Sequence, residues 1–365
     1  MHARISEKLT ILYVCGYSAN VVGGVQTVVP QYFENISKYA KVYVYSFKNC
    51  RYHTRGRYTQ IDDKRELYQK LKSIDMVVFH EIYYLQYYPL AKKIVHCGIP
   101  YVVIPHGSLT EGAQMQKKVI KKVFYYLWVR NFIGNAKSIQ FLSAGEKHSS
   151  VYSGKATCVI PNGVSRAKYY KQNWNVERIG IKLIFVGRLS IYYKGIDILL
   201  EACRLIKGEM HEKQIFLDIY GVDFENGRRF IEKKIEEYGL WYNVRLYGGI
   251  FDERKIDKLI QSDIFIQTSR FEGQPMGILE ALGIGLPVIV TPGTTFGKEV
   301  ELNKCGICVK AEPKDIAQGI LRMEQEKDQL CVMSQNAIKL INENYLWDKV
   351  ARRTVDLYAG LCKEH

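Results

Sequence analysis

Long apolar runs are absent. The longest, such as LPVIV at 286–290, fall far short of the ~20 residues a helix needs to cross a bilayer. No transmembrane helix is therefore predicted. The first fifteen residues, MHARISEKLTILYVC, lack the basic head, long apolar stretch and small-residue cleavage site of a secretory signal. Metal-ligand spacing is missing too. The nine cysteines are scattered, and the one C-x-x-C, Cys305 to Cys308, has no second Cys or His pair to complete a zinc site. Cys308 reads instead as part of a buried strand, GICVK. Free cysteines suit a reducing cytoplasm. No D-x-D occurs, and Asp223-Phe-Glu225 is the nearest approach to one. No G-x-G-x-x-G occurs, which argues against NAD; GIGLPV at 283–288 lacks the third glycine. There is no internal repeat and no low-complexity segment.

Acid is scarce in one half only. Residues 1–165 hold 22 Lys and Arg against 9 Asp and Glu; residues 166–365 hold 30 against 28. Most of the net +15 thus sits in the first half. A basic surface attracts nucleic acid, anionic lipid or acidic ligands. No recognised nucleic-acid-binding module is visible, so nucleic acid is not expected as a partner.

Short apolar runs recur along the chain. In the first half they are 9–14, 41–47, 75–80, 100–105, 138–143 and 156–161. In the second they are 182–187, 215–221, 243–248, 263–269, 287–291 and 306–310. They are β-branched and do not alternate, as in strands buried on both faces. Helical patterns such as 197–209 and 313–327 lie between them. That alternation predicts an α/β fold of parallel sheets with helices on both faces. The twelve runs divide into two doubly wound, Rossmann-like domains, 1–165 and 178–346, expected to face each other across a cleft. The polar and aromatic stretch 163–180 reads as the connection. The last amphipathic helix, 347–365, is expected to return to the first domain. In such sheets ligands bind beyond the carboxyl ends of the strands.

Two places carry chemistry at strand ends. In IFVGRLSIYYKGIDILL (184–200), Gly187 permits a turn, and Arg188 and Lys194 bracket a loop before a helix. Two cations there suit a phosphate clamp, although surface cations would look the same. In SRFEGQPMGILEALGIGLPVIVT (269–291), two acids stand in a stretch that otherwise reads as core. A turn at RFEGQP leads into a short helix, whose first amides, those of Met276, Gly277 and Ile278, are candidate phosphate donors. Glu272 precedes the helix and Glu280 lies in its second turn. Carboxylates accept from sugar hydroxyls, so acids flanking a phosphate site fit a nucleotide-sugar. A salt bridge or cap within the fold is the alternative for Glu280.

Here the pattern becomes specific. Residues 269–291 resemble the E-x7-E signature of retaining glycosyltransferases of the GT-B fold, family 4. FVGRL with YKGIDILL resembles that family's phosphate clamp, IPNGV (160–164) the end of its first domain, and GGV (23–25) its N-terminal glycine loop. Ser165 stands where an Asp often follows IPNGV. The resemblance spans essentially the whole chain, in order. It implies that Glu280 binds the donor ribose and Glu272 the donor sugar near the reacting carbon. Arg188 and Lys194 would hold the diphosphate and stabilise its departure. Gly23 and Gly24 would bring backbone amides to the same diphosphate. Gly249 and Ile250, in the loop YGGIFDE, would meet the base. His106, in VVIPHGSL (102–109), would face the donor sugar from the acceptor side; outside the family context such a His is usually a hydrogen-bonded structural residue. The HGSL form resembles enzymes of bacterial capsule and exopolysaccharide assembly. The resemblance implies front-face attack with retention, a nucleotide-sugar as substrate rather than cofactor, UDP as the commonest base, and no metal. An epimerase or hydrolase on the same fold, or a nucleotide-sugar-binding protein without turnover, are the alternatives. Ser143 and Glu146, in FLSAGEKHSS, have the spacing of a capping box and read as structural.

The basic half contains QMQKKVIKKVFYYLWVR (114–130). At helical spacing Lys117, Lys118, Lys121 and Lys122 share one face, and Val119, Ile120, Val123, Phe124 and Leu127 another. A cationic helix beside aromatic residues suits an anionic membrane surface or a lipid-diphosphate acceptor. The expected location is cytoplasmic, peripheral at the inner face of the plasma membrane. Attraction of this kind should fade with salt. A solvated basic face on a packed helix is the alternative.

Overall fold

A computed structural model describes residues 8–16, 24–48, 57–115, 118–152, 156–174 and 179–363. The chain divides into two compact units. One runs to Gly163 and resumes at Trp347; the other is Val164–Leu346.

The first unit is built on seven parallel strands. They are β1 (Thr10–Cys15), β2 (Lys41–Ser46), β3 (Thr59–Ile61), β4 (Met76–His80), β5 (Tyr101–Ile104), β6 (Ser138–Phe141) and β7 (Thr157–Val159). Their order is β3-β2-β1-β4-β5-β6-β7. The central strands are buried along nearly their whole length, Ile11–Val14 and Met76–Phe79 among them. That is why their sequences run apolar without alternation. β3 is an addition to the expected strands. Its three residues, TQI, carry no apolar run, and pairing with β2 alone makes it a strand. The last helix, Trp347–Lys363, packs on the helix Gly24–Ile36. Trp347 Nε1 donates to Gln31 Oε1 at 2.7 Å, and the Tyr358 hydroxyl donates to Gln140 Oε1 on β6 at 2.7 Å.

The second unit has six parallel strands: β8 (Lys182–Val186), β9 (Phe216–Tyr220), β10 (Val244–Tyr247), β11 (Ile264–Gln267), β12 (Val288–Val290) and β13 (Gly306–Cys308). Their order, β10-β9-β8-β11-β12-β13, is that of a dinucleotide-binding fold. Chain direction reverses across the sheet between β8 and β11. In the first unit it reverses between β1 and β4. At each reversal the two following loops diverge and leave a crevice at the carboxyl ends of the strands.

Candidate active site

In the second unit the reversal gathers the two motifs. After β8, Gly187 leads to the short helix Ile191–Lys194, which Gly195 ends at φ +63°. A side chain at Gly195 would strike the Thr268 carbonyl, 2.0 Å from an ideal Cβ. Only glycine allows that approach. Thr268 Oγ1 then donates to the Gly195 carbonyl at 2.9 Å, fastening this turn to the end of β11. Lys194 is thereby carried to Glu272, and their side chains form an ion pair. Glu272 Oε1 also accepts from Gln267 Nε2 and Ser269 Oγ, each at 2.7 Å. Its Oε2 takes no donor among the described residues. The carboxylate is thus aimed by three groups through one oxygen.

The loop that carries Glu272 is strapped at both ends. Thr291 Oγ1 donates to the Ser269 carbonyl at 2.7 Å, and Thr295 Oγ1 to Gly273 at 2.8 Å. Arg270 forms a two-pronged pair with Asp197, at 2.7 and 2.8 Å, and stacks on Tyr192. Sequence reasoning passed over Arg270; its signal was an Arg beside the acid motif and an Asp just after Lys194. Arg188 is exposed, and its guanidinium lies 4.9 Å from the Phe224 ring centroid. It makes no ion pair among the described residues.

Glu280 lies in the helix Met276–Ile284 and pairs with Lys255 at 2.9 Å. Lys255, on the helix Asp252–Ile260, is a partner that the sequence did not suggest. The helix start needs one correction. The Ile278 amide donates to the Pro275 carbonyl at 3.1 Å, so it is not a spare phosphate donor. The helix closes its first turn one residue earlier than expected. Gly277 remains close to the reversal: a Cβ there would lie 3.1 Å from Phe265 and 3.5 Å from both Gln267 Oε1 and the Val186 carbonyl. Gly249 and Ile250 follow β10; Gly249 is exposed, and Ile250 packs on the core. Beneath them Tyr220 and Tyr247 stack at 4.5 Å, with planes 10° apart.

In the first unit Gly23 lies outside the described residues, and Gly24 opens the helix Gly24–Ile36. His106 follows β5 with φ +51°, in the left-handed region. Its Nε2 lies 2.8 Å from Nδ1 of His80, the last residue of β4, and the rings stack at 5.1 Å. Burial pushes both imidazolium groups down, that of His106 to about 3, and the neighbouring His106 ring lowers that of His80 further. In the sequence His80 is no more than the last residue of the run 75–80. Ser143 caps the helix Ala144–His148 by accepting from the Glu146 amide at 2.9 Å. Glu146 does more than complete that cap. Its carboxylate is buried and accepts from the Gly107 amide at 2.5 Å and the Leu142 amide at 2.6 Å. It therefore holds the loop next to His106.

The basic helix differs from its expected form. Lys117 lies outside the described residues, and Lys118 begins the helix Lys118–Phe124. Lys121 does not join an open cationic face: it donates to the Ala113 carbonyl and lies over the Tyr83 ring. Lys122 is exposed. The apolar face is the exposed one. Val119 is 76% exposed, Ile120 67%, Val123 54% and Leu127 58%. Phe124 turns inward, against Tyr83 and Tyr88.

Residues 170–340 match the family model of the glycosyl transferases, group 1. The chain is 25% identical over 333 residues to a phosphatidylinositol N-acetylglucosaminyltransferase subunit of Homo sapiens, covering 85% of this chain and 66% of that protein. It is 27% identical over 252 residues to the GDP-mannose:cellobiosyl-diphosphopolyprenol alpha-mannosyltransferase of Xanthomonas campestris, covering 66% of this chain and 64% of that protein. The chain thus spans no more than about two thirds of either relative's own length. Sucrose-phosphate synthase of Thermosynechococcus elongatus superposes with a TM-score of 0.73 at 17% identity, over 98% of this chain and all of that one. The fold is GT-B, and the matched span is similar to the glycosyl transferases, group 1.

Proposed function

We propose that this glycosyltransferase moves a sugar, with retention, from a nucleotide-diphosphate sugar to a lipid-linked or saccharide acceptor of a bacterial surface polysaccharide. The carrying observation is the aimed carboxylate of Glu272, ion-paired with Lys194 at the crevice between β8 and β11. Glu272 Oε2 would accept from hydroxyls of the donor sugar. Arg188, exposed and without a carboxylate partner among the described residues, and Lys194 would face the diphosphate. As the bond from the anomeric carbon to the phosphate oxygen breaks, negative charge grows on the leaving group, and fixed cations oppose it. The acceptor oxygen bonds the same carbon on the same face, and its proton passes to the departing phosphate oxygen. Glu280 would take the ribose hydroxyls while Lys255 holds its other side. The Gly277 amide and the loop at Gly249 and Ile250 would complete the nucleotide site. His106 serves the acceptor side. Side-chain cations take the part that a metal would play, so no metal is required.

The favoured donor is a UDP-sugar, the commonest in the family that the motifs resemble. The Xanthomonas relative is named for GDP-mannose, so GDP-sugars are the competing class. Thermal stabilisation by UDP-, GDP- and ADP-sugars ranks the donors, since a ligand raises apparent stability. Turnover with and without a lipid-diphosphate acceptor then tests the reaction. Free sugar or an epimer released without acceptor would replace transfer by hydrolysis or epimerisation. Stabilisation without any turnover would leave a binding protein.

The proposed place of action is the inner face of the plasma membrane. What supports it is the exposed stripe Val119, Ile120, Val123 and Leu127 beside Lys122, in the basic half of the chain. Apolar side chains flanked by cations fit an anionic lipid surface.

A further inference from the structure

We infer that Phe224 is a positioning residue: its ring holds the Arg188 guanidinium by one face and leaves the charge and the N–H groups for the donor diphosphate. The consequence for donor binding rests on the function proposed above; the stacking itself does not.

A carboxylate beside an Arg holds it through the N–H groups and cancels its charge. Lys194 is held by an acid in that way, through Glu272. Arg188 is held differently. Its guanidinium carbon lies 4.9 Å from the centroid of the Phe224 ring. The five N–H groups of a guanidinium lie in its plane, so a ring against the face spends none of them. Attraction to the ring also leaves the charge in place. The two acids that flank Phe224 stay off the cation. Asp223 accepts from the Arg228 amide at 2.8 Å, at the start of the helix Gly227–Tyr238. Glu225 is exposed and forms no ion pair among the described residues. In the stretch Asp223-Phe-Glu225 it is thus the middle residue, and not the acids, that meets the clamp. The turn that carries the ring is fastened to the loop that carries Arg188. The Gly187 amide donates to the Tyr220 carbonyl at 3.0 Å, and the Leu189 amide to the Val222 carbonyl at 2.9 Å. Leu189 and Asp223 form a parallel bridge, so the pairing of β8 with β9 runs on past both strand ends. The far end of the turn rests on the same loop: an ideal Cβ at Gly227 would lie 1.9 Å from the Leu189 carbonyl. The Gly227 amide closes the turn by donating to the Phe224 carbonyl at 3.0 Å. Between them Glu225 and Asn226 both hold left-handed backbones, at φ +52° and +61°. Two successive residues other than glycine rarely adopt that region, and such strain persists only where the surroundings enforce it. Ring and cation therefore meet through two loops held in fixed register.

The test uses the full chain labelled with 15N-arginine. The Arg188 side-chain N–H signal is assigned by its loss in Arg188→Lys. A proton near a ring face moves upfield. The signal should therefore lie upfield in the wild type and in Phe224→Tyr, and at its ordinary position in Phe224→Leu. An ordinary position in the wild type overturns the inference. Affinity for UDP, GDP and ADP is then measured by calorimetry. Immobilising a long side chain on binding costs ~0.5–1.5 kcal/mol, so Phe224→Leu should weaken the best-bound diphosphate about two- to tenfold. Phe224→Tyr should restore it. In an Arg188→Ala background Phe224→Leu should have no further effect, because the group it positions is gone. An equal loss in both backgrounds means that Phe224 acts without Arg188 and overturns the positioning role. Unchanged affinity in Phe224→Leu, with weak binding in Arg188→Ala, overturns it while the clamp stands. Wild-type affinity in Arg188→Ala, or no binding of any of the three by the wild type, removes the clamp and the positioning role together. Should the Leu variant fail to fold, the wild-type and Tyr spectra still decide.

Discussion

Replacing Glu146 by Gln should change how stability depends on pH, in a direction that the burial dictates. The Glu146 carboxyl is buried, and although two backbone amides favour its charged form, loss of water outweighs them and raises its pKa from 4.5 to about 7. The folded chain thus holds this proton more tightly than the unfolded chain. Between pH 4.5 and 7 the folded state binds more protons, so the contribution of Glu146 to stability is full below 4.5 and is lost as pH rises through 7. A shift of that size at 1.36 kcal/mol per unit is about 3 kcal/mol. His80 and His106 act in the opposite sense. Buried neutral, their pKa values fall below the usual 6.5, that of His106 to about 3. Their contribution therefore grows as pH rises from about 3 to 6.5, and it masks Glu146 in a single profile. The difference between wild type and Glu146→Gln cancels it, because both chains keep the histidines. Urea unfolding can be followed through Trp128 and Trp347, both in the first unit, after Trp174 and Trp241 are changed to Phe. The advantage of wild type over the Gln variant should shrink by about 3 kcal/mol between about pH 4.5 and 7.5. A gap that stays constant across that range would refute the reasoning.

Arg188→Ala and Lys194→Ala should each lower turnover from about tenfold to more than a hundredfold, since a charge-assisted hydrogen bond contributes ~1.5–3 kcal/mol. Arg188→Ala should leave the melting temperature unchanged, and wild-type rates in both variants would remove the clamp. Glu280→Gln should weaken nucleotide binding by calorimetry with little change in kcat, whereas Glu272→Gln should lower kcat at nearly unchanged nucleotide affinity; the reverse pattern exchanges their roles. Activity should persist in excess EDTA, and loss restored by magnesium or manganese would reveal a metal requirement. Binding to anionic vesicles should be governed by the apolar stripe: four side chains at ~1.5 kcal/mol each exceed the ~1 kcal/mol of a lysine. Changing Val119, Ile120, Val123 and Leu127 to Ser should abolish co-sedimentation, whereas Lys122→Gln or high salt should only reduce it. Full release of the wild type by about 1 M salt would return the interaction to charge alone.

The sequence by itself determined the class of fold and marked the candidate groups at the strand ends. Runs such as Ile11–Val14 and Leu183–Val186 are apolar at every position because both faces of a parallel strand are covered, and that demand is local enough to read. The turn glycine at 187 and the acids at 272 and 280 are legible for the same reason, since turn geometry and helix starts depend on near neighbours. Only the tertiary structure decided which groups meet. Lys194 finds Glu272, Lys255 finds Glu280 and His80 finds His106 because elements adjacent in the fold are distant in the chain. Strand order leaves no trace in periodicity. The same limit explains the segment after Gln116. Spacing there showed that one side of the helix is apolar, but it cannot say what covers that side, and in the folded unit Val119, Ile120, Val123 and Leu127 stay exposed. Patterning records the chemistry of a face; whether a face is buried depends on what packs against it, and that is settled only when the chain folds.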